Sequence, residues 1–375
     1  IVGPRVRFPV LAFFYFSQFF FRTTITTDEV QKEMNNNFFL IFSIYDTINN
    51  NNNNLHRHTR IYIYPINSMS LNNPSQDLIF FKDNSLISDK IINQETTTTT
   101  TTTASNNFHS YLSVITYNQS TSPNWLINGL IEDTLFGNAT KSLNNHESYH
   151  QMKKKDIIIK NKKIMIISFL HNKEFYIKNC KRIGINLEEK EKEQQQQFQF
   201  IDYFNDLFIN LIKNPNDSIK DINKMFDNII NSLNNDSKDD VDVIIIEGVE
   251  ILLFATNITS NQLIFNINRL NKKCRQLFVV SSKECLFKNN ESIGVTFSFD
   301  DPMIKINDFL IKLLHRSQLN ITLEPLITGR AKDITGSLTI SKGCIPYGEN
   351  LSISINEKEY VYHITKDSQV KLYYR

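Results

Sequence analysis

Two carboxylates, Glu247 and Glu250, close the apolar run Val241-Asp242-Val243-Ile244-Ile245-Ile246. In nucleotide-hydrolysing sheets a strand of this form ends on an acid that holds Mg²⁺ or orients the attacking water. Such an acid works only beside a loop whose glycines let backbone amides close on phosphates, with a lysine to reach the terminal ones. The alternative is a core strand ending in ordinary solvated acids. The loop, if present, lies upstream between a strand and a helix, and it decides between the two readings.

The upstream candidate strand is Tyr111–Tyr117, followed by a polar turn and by Trp125, Leu126, Ile127, Leu130, Ile131, Leu135 and Phe136 at helical spacing, with Gly137 as the stop. The turn Asn118-Gln119-Ser120-Thr121-Ser122-Pro123 supplies neither glycine nor lysine. Gly137-Asn138-Ala139-Thr140-Lys141-Ser142 ends in Lys-Ser, but it lacks the second glycine and follows a helix instead of opening one. Nucleotide binding fails on these residues. His171 stands after a strand with no partner at metal-ligand spacing. Lys153-Lys154-Lys155 reads as a solvated loop before it reads as a phosphate contact. Cys180, Cys274, Cys285 and Cys344 form no CxxC pair, so reduced, mostly buried thiols of a cytosolic or nuclear protein are expected. No catalytic, cofactor-binding or metal-binding residue is assigned, and no cofactor is expected.

The elements that would position these groups alternate. Four consecutive apolar residues with β-branching suit a strand buried on both faces, and Val241–Glu247 is the clearest such run. Ile164–Phe169, Phe198–Tyr203 and Gln276–Ser282 are further strands. Helical spacing runs through Phe175–Ile183, through Phe208, Leu211 and Ile212, through Ile219–Ile230, and through Leu263–Leu270. Asp301-Pro302 opens another helix through Leu314. The alternation predicts an α/β fold with a mostly parallel sheet flanked by helices. Short β-rich runs at 320–326, 334–341, 360–365 and 370–374 predict antiparallel strands at the sheet edge, with Gly329 and Gly336 as turn glycines and Asp333 holding turn amides.

Composition bounds the rest. A net charge of +2 gives no mandate for nucleic acid or membrane, and ten Gly with nine Pro are few for a many-turned β-sandwich. Residues 1–104 read as a low-complexity leader. Asn49–Asn54 and Thr96–Thr103 are homopolymers that cannot bury enough apolar surface to order themselves. The aromatic run Phe8–Phe21 has no small-residue cleavage site after it and is too short to span a bilayer securely. One reading makes residues 1–68 upstream translated sequence or a gene-model extension, with Met69 as the start. A single domain at 105–375 carries polar insertions near 138–155 and 188–197.

Leu323-Glu324-Pro325-Leu326-Ile327-Thr328-Gly329-Arg330-Ala331-Lys332-Asp333-Ile334-Thr335-Gly336-Ser337-Leu338 resembles a C-terminal pattern of the Elongator complex subunit 6 family, as does the later strand Tyr362–Asp367. Phe169, Tyr176 and Lys181–Leu187 are similar to a second stretch of that family. Phe175 stands where the family usually has His, and Glu247-Gly248 replaces paired acids. The resemblance covers about residues 110–374. It implies a RecA-like domain, related to P-loop NTPases, that has lost its phosphate-binding loop. It further implies assembly with Elongator subunits four and five into a hetero-hexameric ring that supports tRNA wobble-uridine modification. The chemistry then belongs to the catalytic subcomplex, and no catalytic residue carries over. The expected partners are those subunits, with weak tRNA contact and no membrane, in the cytoplasm and also the nucleus. A RecA-like ATPase using Glu247 and Glu250, and a stand-alone nucleic-acid-binding protein, are the alternatives.

Overall fold

The computed structural model describes residues 39–46, 58–65, 76–78, 86–93, 109–143, 162–192, 197–207, 209, 218–235, 241–283, 301–326, 329, 331, 333–348, 351 and 353–374. The chain divides into two units, Ile1–Asn73 and Pro74–Arg375. In the first, β1 (Phe39–Asp46) and β2 (His58–Pro65) pair antiparallel, with Phe39 opposite Pro65. Alternating β-branched and aromatic residues favour such a pair. Phe8–Phe21, both homopolymers, Lys153–Lys155, Phe208, Leu211 and Ile212 lie outside the described residues.

The second unit opens with β3 (Gln76–Leu78) and the one-turn helix α1 (Asp89–Ile92). Then come β4 (Tyr111–Tyr117), α2 (Asn124–Phe136), β5 (Ile164–Ser168), α3 (Lys173–Arg182), α4 (Leu187–Lys192), β6 (Phe198–Asp202) and α5 (Tyr203–Asp206). The chain continues through α6 (Ser218–Asn235), β7 (Val241–Glu247), α7 (Ile251–Ala255), α8 (Ser260–Asn271), β8 (Cys274–Ser282) and α9 (Pro302–Leu314). It ends with β9 (Leu319–Glu324), β10 (Gly336–Lys342), β11 (Ile353–Ile355), β12 (Lys358–Ile364) and β13 (Val370–Tyr374).

Among the described residues these strands build a nine-stranded sheet in the order β13-β12-β10-β9-β4-β8-β7-β5-β6. Neighbours from β9 to β6 run parallel, and β9 to β13 are joined by antiparallel pairs. The α/β reading holds, and so does the antiparallel C-terminal set. Its first member, β9, also lies parallel to β4 and so extends the parallel array. β3 pairs separately with β11.

Strand residues alternate between two cores because successive side chains point to opposite faces. Ile115, Val243, Ile245 and Phe278 face α2 and α3, packing with Trp125, Leu130 and Tyr176. Val114, Ile244, Ile246 and Val279 face the other layer, with Phe226 of α6, Leu253 of α7, Leu263 of α8 and Phe309 of α9. Each fully buried side chain of this size is worth about 1.5–3 kcal/mol relative to exposure. Val243 to Glu247 are wholly buried, as the apolar run requires.

Two details were not read from the sequence. Within the polar insertion expected near 188–197, residues 188–192 belong to α4, and its Glu191 holds Lys173 at 2.5 Å. The boundary expected near residue 104 leaves Leu86, Ile87, Ile91 and Ile92 on its leader side, yet all four are buried in the core of the second unit. A one-turn helix has too few residues to show a period, so the sequence carries no signal for it.

Candidate functional site

In open parallel sheets ligands collect outside the carboxyl ends of the strands. Two features meet that edge here, the β4–α2 turn and the acid at the end of β7; the loop after α2 is the other candidate the sequence offers.

The β4–α2 turn is closed on itself. Thr121, buried, directs its amide to the Asn118 carbonyl at 2.8 Å, and its hydroxyl Oγ1 lies 2.9 Å from the same oxygen. Oγ1 accepts the Asn118 amide at 3.2 Å and sits 3.3 Å from the Leu323 carbonyl of β9. Ser122 Oγ takes the Asn124 amide at 3.3 Å. Three amides of this turn and helix entrance, those of Asn118, Thr121 and Asn124, are held by the turn's own oxygens, where a phosphate would need free donors.

The Gly137–Ser142 loop holds an anion, and the chain supplies it. Gly137 ends α2 at φ 78°, the left-handed cap that glycine adopts without strain. The buried carboxylate of Glu132 accepts the Lys141 amide at 2.7 Å, the Ser142 amide at 2.8 Å and the Ser142 hydroxyl at 2.6 Å. Lys141 Nζ donates to the Gly184 carbonyl at 3.0 Å. The Lys-Ser pair is thus a structural clamp on α2. Its neighbour Asp133 does the same for the segment before β4, accepting the Leu86 and Ile87 amides at 2.9 and 2.8 Å.

Glu247 and Glu250 are buried, which corrects the reading of them as solvated acids. Glu247 Oε2 accepts from Ser168 Oγ at 3.0 Å, from the Tyr176 hydroxyl, and contacts His171 Nδ1 at 3.1 Å. Ser168 Oγ in turn takes the His171 amide at 3.0 Å. Burial, with the Glu247 carboxylate beside it, pushes the Tyr176 phenol well above its ordinary range, so it stays a donor. Glu247 Oε1 is buried without a hydrogen bond. Burial pushes Glu250 up to about 7, opposed by the Ser282 amide at 2.9 Å. Next to Glu247, Gly248 sits at φ 75°, and a Cβ there would come within 2.4 Å of Leu170 Cγ. A second acid in that place has no room.

His171 therefore has a partner, 76 residues away in sequence, and its ring stacks on Phe175 with centroids 3.9 Å apart. Sequence spacing could not pair Ser168, His171 and Tyr176 with Glu247, because a parallel crossover separates them. Among the described residues no group of three His, Cys, Asp or Glu side chains could hold a metal ion. No described helix is long and apolar enough to cross a membrane.

The remaining candidates resolve simply. Cys180 and Cys274 are buried and Cys344 is exposed; Cys285 lies outside the described residues. Burial pushes the Cys180 thiol up to about 12. Gly329 has φ 87°, as a turn glycine should. Gly336 does not: it begins β10, and a Cβ there would meet the Glu324 carbonyl oxygen and the Tyr362 hydroxyl at 2.8 Å. Close approach, and not backbone handedness, requires that glycine. Asp333 is exposed and holds no turn amide among the described residues.

Comparison with known proteins adds the family. The profile described as "Elongation complex protein 6" matches residues 157–365. Elongator complex protein 6 of Saccharomyces cerevisiae is 28% identical over 305 residues, covering 80% of this chain and 98% of the relative. The matched span runs from just before β5 through β12 and takes in Ser168, His171, Tyr176, Glu247 and Glu250. By this match the chain belongs to the elongation complex protein 6 family.

Proposed function

We propose that this chain is a non-catalytic accessory subunit of Elongator. Its second unit, about residues 105–375 together with the docked segment before it, is then a RecA-like domain without a phosphate-binding loop. It assembles with subunits four and five into a hetero-hexameric ring, and the ring supports wobble-uridine modification in tRNA by the catalytic subcomplex. The chain works in the cytoplasm and also the nucleus, through protein contacts and weak contact with tRNA.

The observation that carries this reading is the closed β4–α2 turn, where a nucleotide-binding relative of this sheet would hold phosphates. Asn118, Thr121 and Asn124 direct their amides into the turn. The acid across the edge supports it too, since Glu247 Oε2 already takes the Ser168 and Tyr176 hydroxyls and contacts His171 Nδ1. A fold of this kind without its chemistry is suited to assembly. The test is affinity purification of the full chain from its own cells with mass spectrometry of what co-purifies. Subunits four and five in equal amounts, with the catalytic subcomplex following at low salt, are expected. Recovery of the chain without them would reject the assembly.

A further inference from the structure

Residues 86–93 reach the core from outside the strand–helix order of the sheet. Leu86, Ile87, Ile91 and Ile92 are all at most 5% exposed. The segment is locally self-contained, because Ser88 caps α1 by accepting the Lys90 amide. It is tied at both ends: Asp133 Oδ2 takes the Leu86 and Ile87 amides, and Arg275 Nη1 donates to the Ile92 carbonyl. Lys162 Nζ lies 3.6 Å from Asp89. The surface of α2 is shaped for it, since a Cβ on Gly129 would come within 2.9 Å of Leu86 Cδ1.

We propose that residues 86–93 form a proton-linked clasp: the segment docks on α2 with the Asp133 carboxyl protonated, and it is held less firmly once that carboxyl ionises. Asp133, which takes two amides of the docked segment, is 3% exposed. The charged groups facing it are Lys162, ahead of β5, and Asp89, on the clasp itself; their signs oppose and they pair with each other. On its own helix Glu132 is turned to the Lys141 and Ser142 amides. Among the described residues no cation is therefore dedicated to an ionised Asp133. A protonated carboxyl still accepts both amides through Oδ2 while Oδ1 carries the proton.

Burial raises Asp133 from 3.8 to about 7. Undocking returns the group to water and to its ordinary range, so docking takes up a proton between those limits. The sign follows. Docking is firmest near pH 4, weakens by about tenfold per pH unit as pH rises towards 7, and levels off above.

Hydrogen exchange by mass spectrometry on the full chain, at pH 5, 6, 7 and 8 and corrected for intrinsic rates, tests this. The opening constant of residues 86–93 should rise about tenfold per unit from pH 5 to 6, less to pH 7, and then hold. These amides should exchange well ahead of those in β4. Asp133→Asn should flatten the profile. Gly129→Ala should raise the opening constant at every pH and keep the slope, because its methyl meets Leu86 while the helix gains a better former. A pH-independent wild-type clasp, an unchanged slope in Asp133→Asn, or exchange of the clasp together with β4 would each overturn the proposal. Should Asp133→Asn fail to fold, the wild-type and Gly129→Ala profiles still decide.

Discussion

Glu247 does structural work at the end of a strand that is buried on both faces. It closes β7, an inner strand of the parallel array, as its place after the apolar run implied. Its partners Ser168 and Tyr176 are 79 and 71 residues away, and no local spacing announces them. The same holds for Glu132 and Asp133, mid-helix acids whose amide partners lie 9 and 10, and 47 and 46, residues away. Among the described residues, removing the Glu247 carboxylate leaves the Ser168 and Tyr176 hydroxyls with only their mutual contact at 3.3 Å as an outlet for their protons. Glu247→Ala should therefore cost about 2–4 kcal/mol, with Glu247→Gln milder because one acceptor oxygen remains. Denaturant titration of both variants measures it. A Glu247→Ala protein of unchanged stability that no longer captures its partners would assign this acid to recognition instead. Glu250 gives a pH signature. Its folded-state value of about 7 lies above its ordinary 4.5, so its contribution is fully present below 4.5 and is lost as pH rises through 7. The melting temperature should fall between pH 5 and pH 8, and Glu250→Gln should shrink that fall. An equal fall in the variant would place the pH dependence elsewhere.

Elements were more legible than contacts. Apolar runs of β-branched residues located β4, β5, β7 and β8, and helical spacing located α2, α3, α6, α8 and α9, because each buries a face with its own period. Asp301, accepting the Met303 amide at 2.9 Å ahead of Pro302, opens α9 as its sequence indicated. The misses are short or structurally dependent pieces: α1 and α4 are too brief for a period, and the parallel face of β9 is a property of its neighbour. The segment before β4 makes a sharp comparison possible. Deleting residues 1–73 should leave the melting temperature of the second unit near that of the full chain. Deleting residues 1–104 also strips Leu86, Ile87, Ile91 and Ile92 from α2, and should lower it by about 2–4 °C for each kcal/mol lost. Equal melting temperatures for the two truncations would mean the docked segment adds nothing to stability.

At the scale of the molecule, the sheet is mostly parallel, and the turn after β4 is closed on its own oxygens. Titration calorimetry of the purified chain with Mg²⁺ and ATP should show no saturable binding in the micromolar range, about −8 kcal/mol. Saturable binding there would reopen the ATPase reading. The strand order was not legible, since nothing in Tyr111–Tyr117 says that its neighbours are β8 and β9.

That order has a consequence for how the protein is made. β4 is the first strand of the large sheet to be synthesised, yet both strands that flank it belong to the last third of the chain. Gln318, whose side chain caps the Leu112 amide at 2.7 Å, follows it by 206 residues. At translation rates of about 5–20 residues per second, β4 waits roughly 10–40 s for that contact. During this interval an apolar strand has bare hydrogen-bonding edges, and a ribosome halted before β9 releases a chain that cannot close its centre. Such a chain leaves the β9-facing edge of β4 unpaired, a row of free amides and carbonyls open to pairing with other chains.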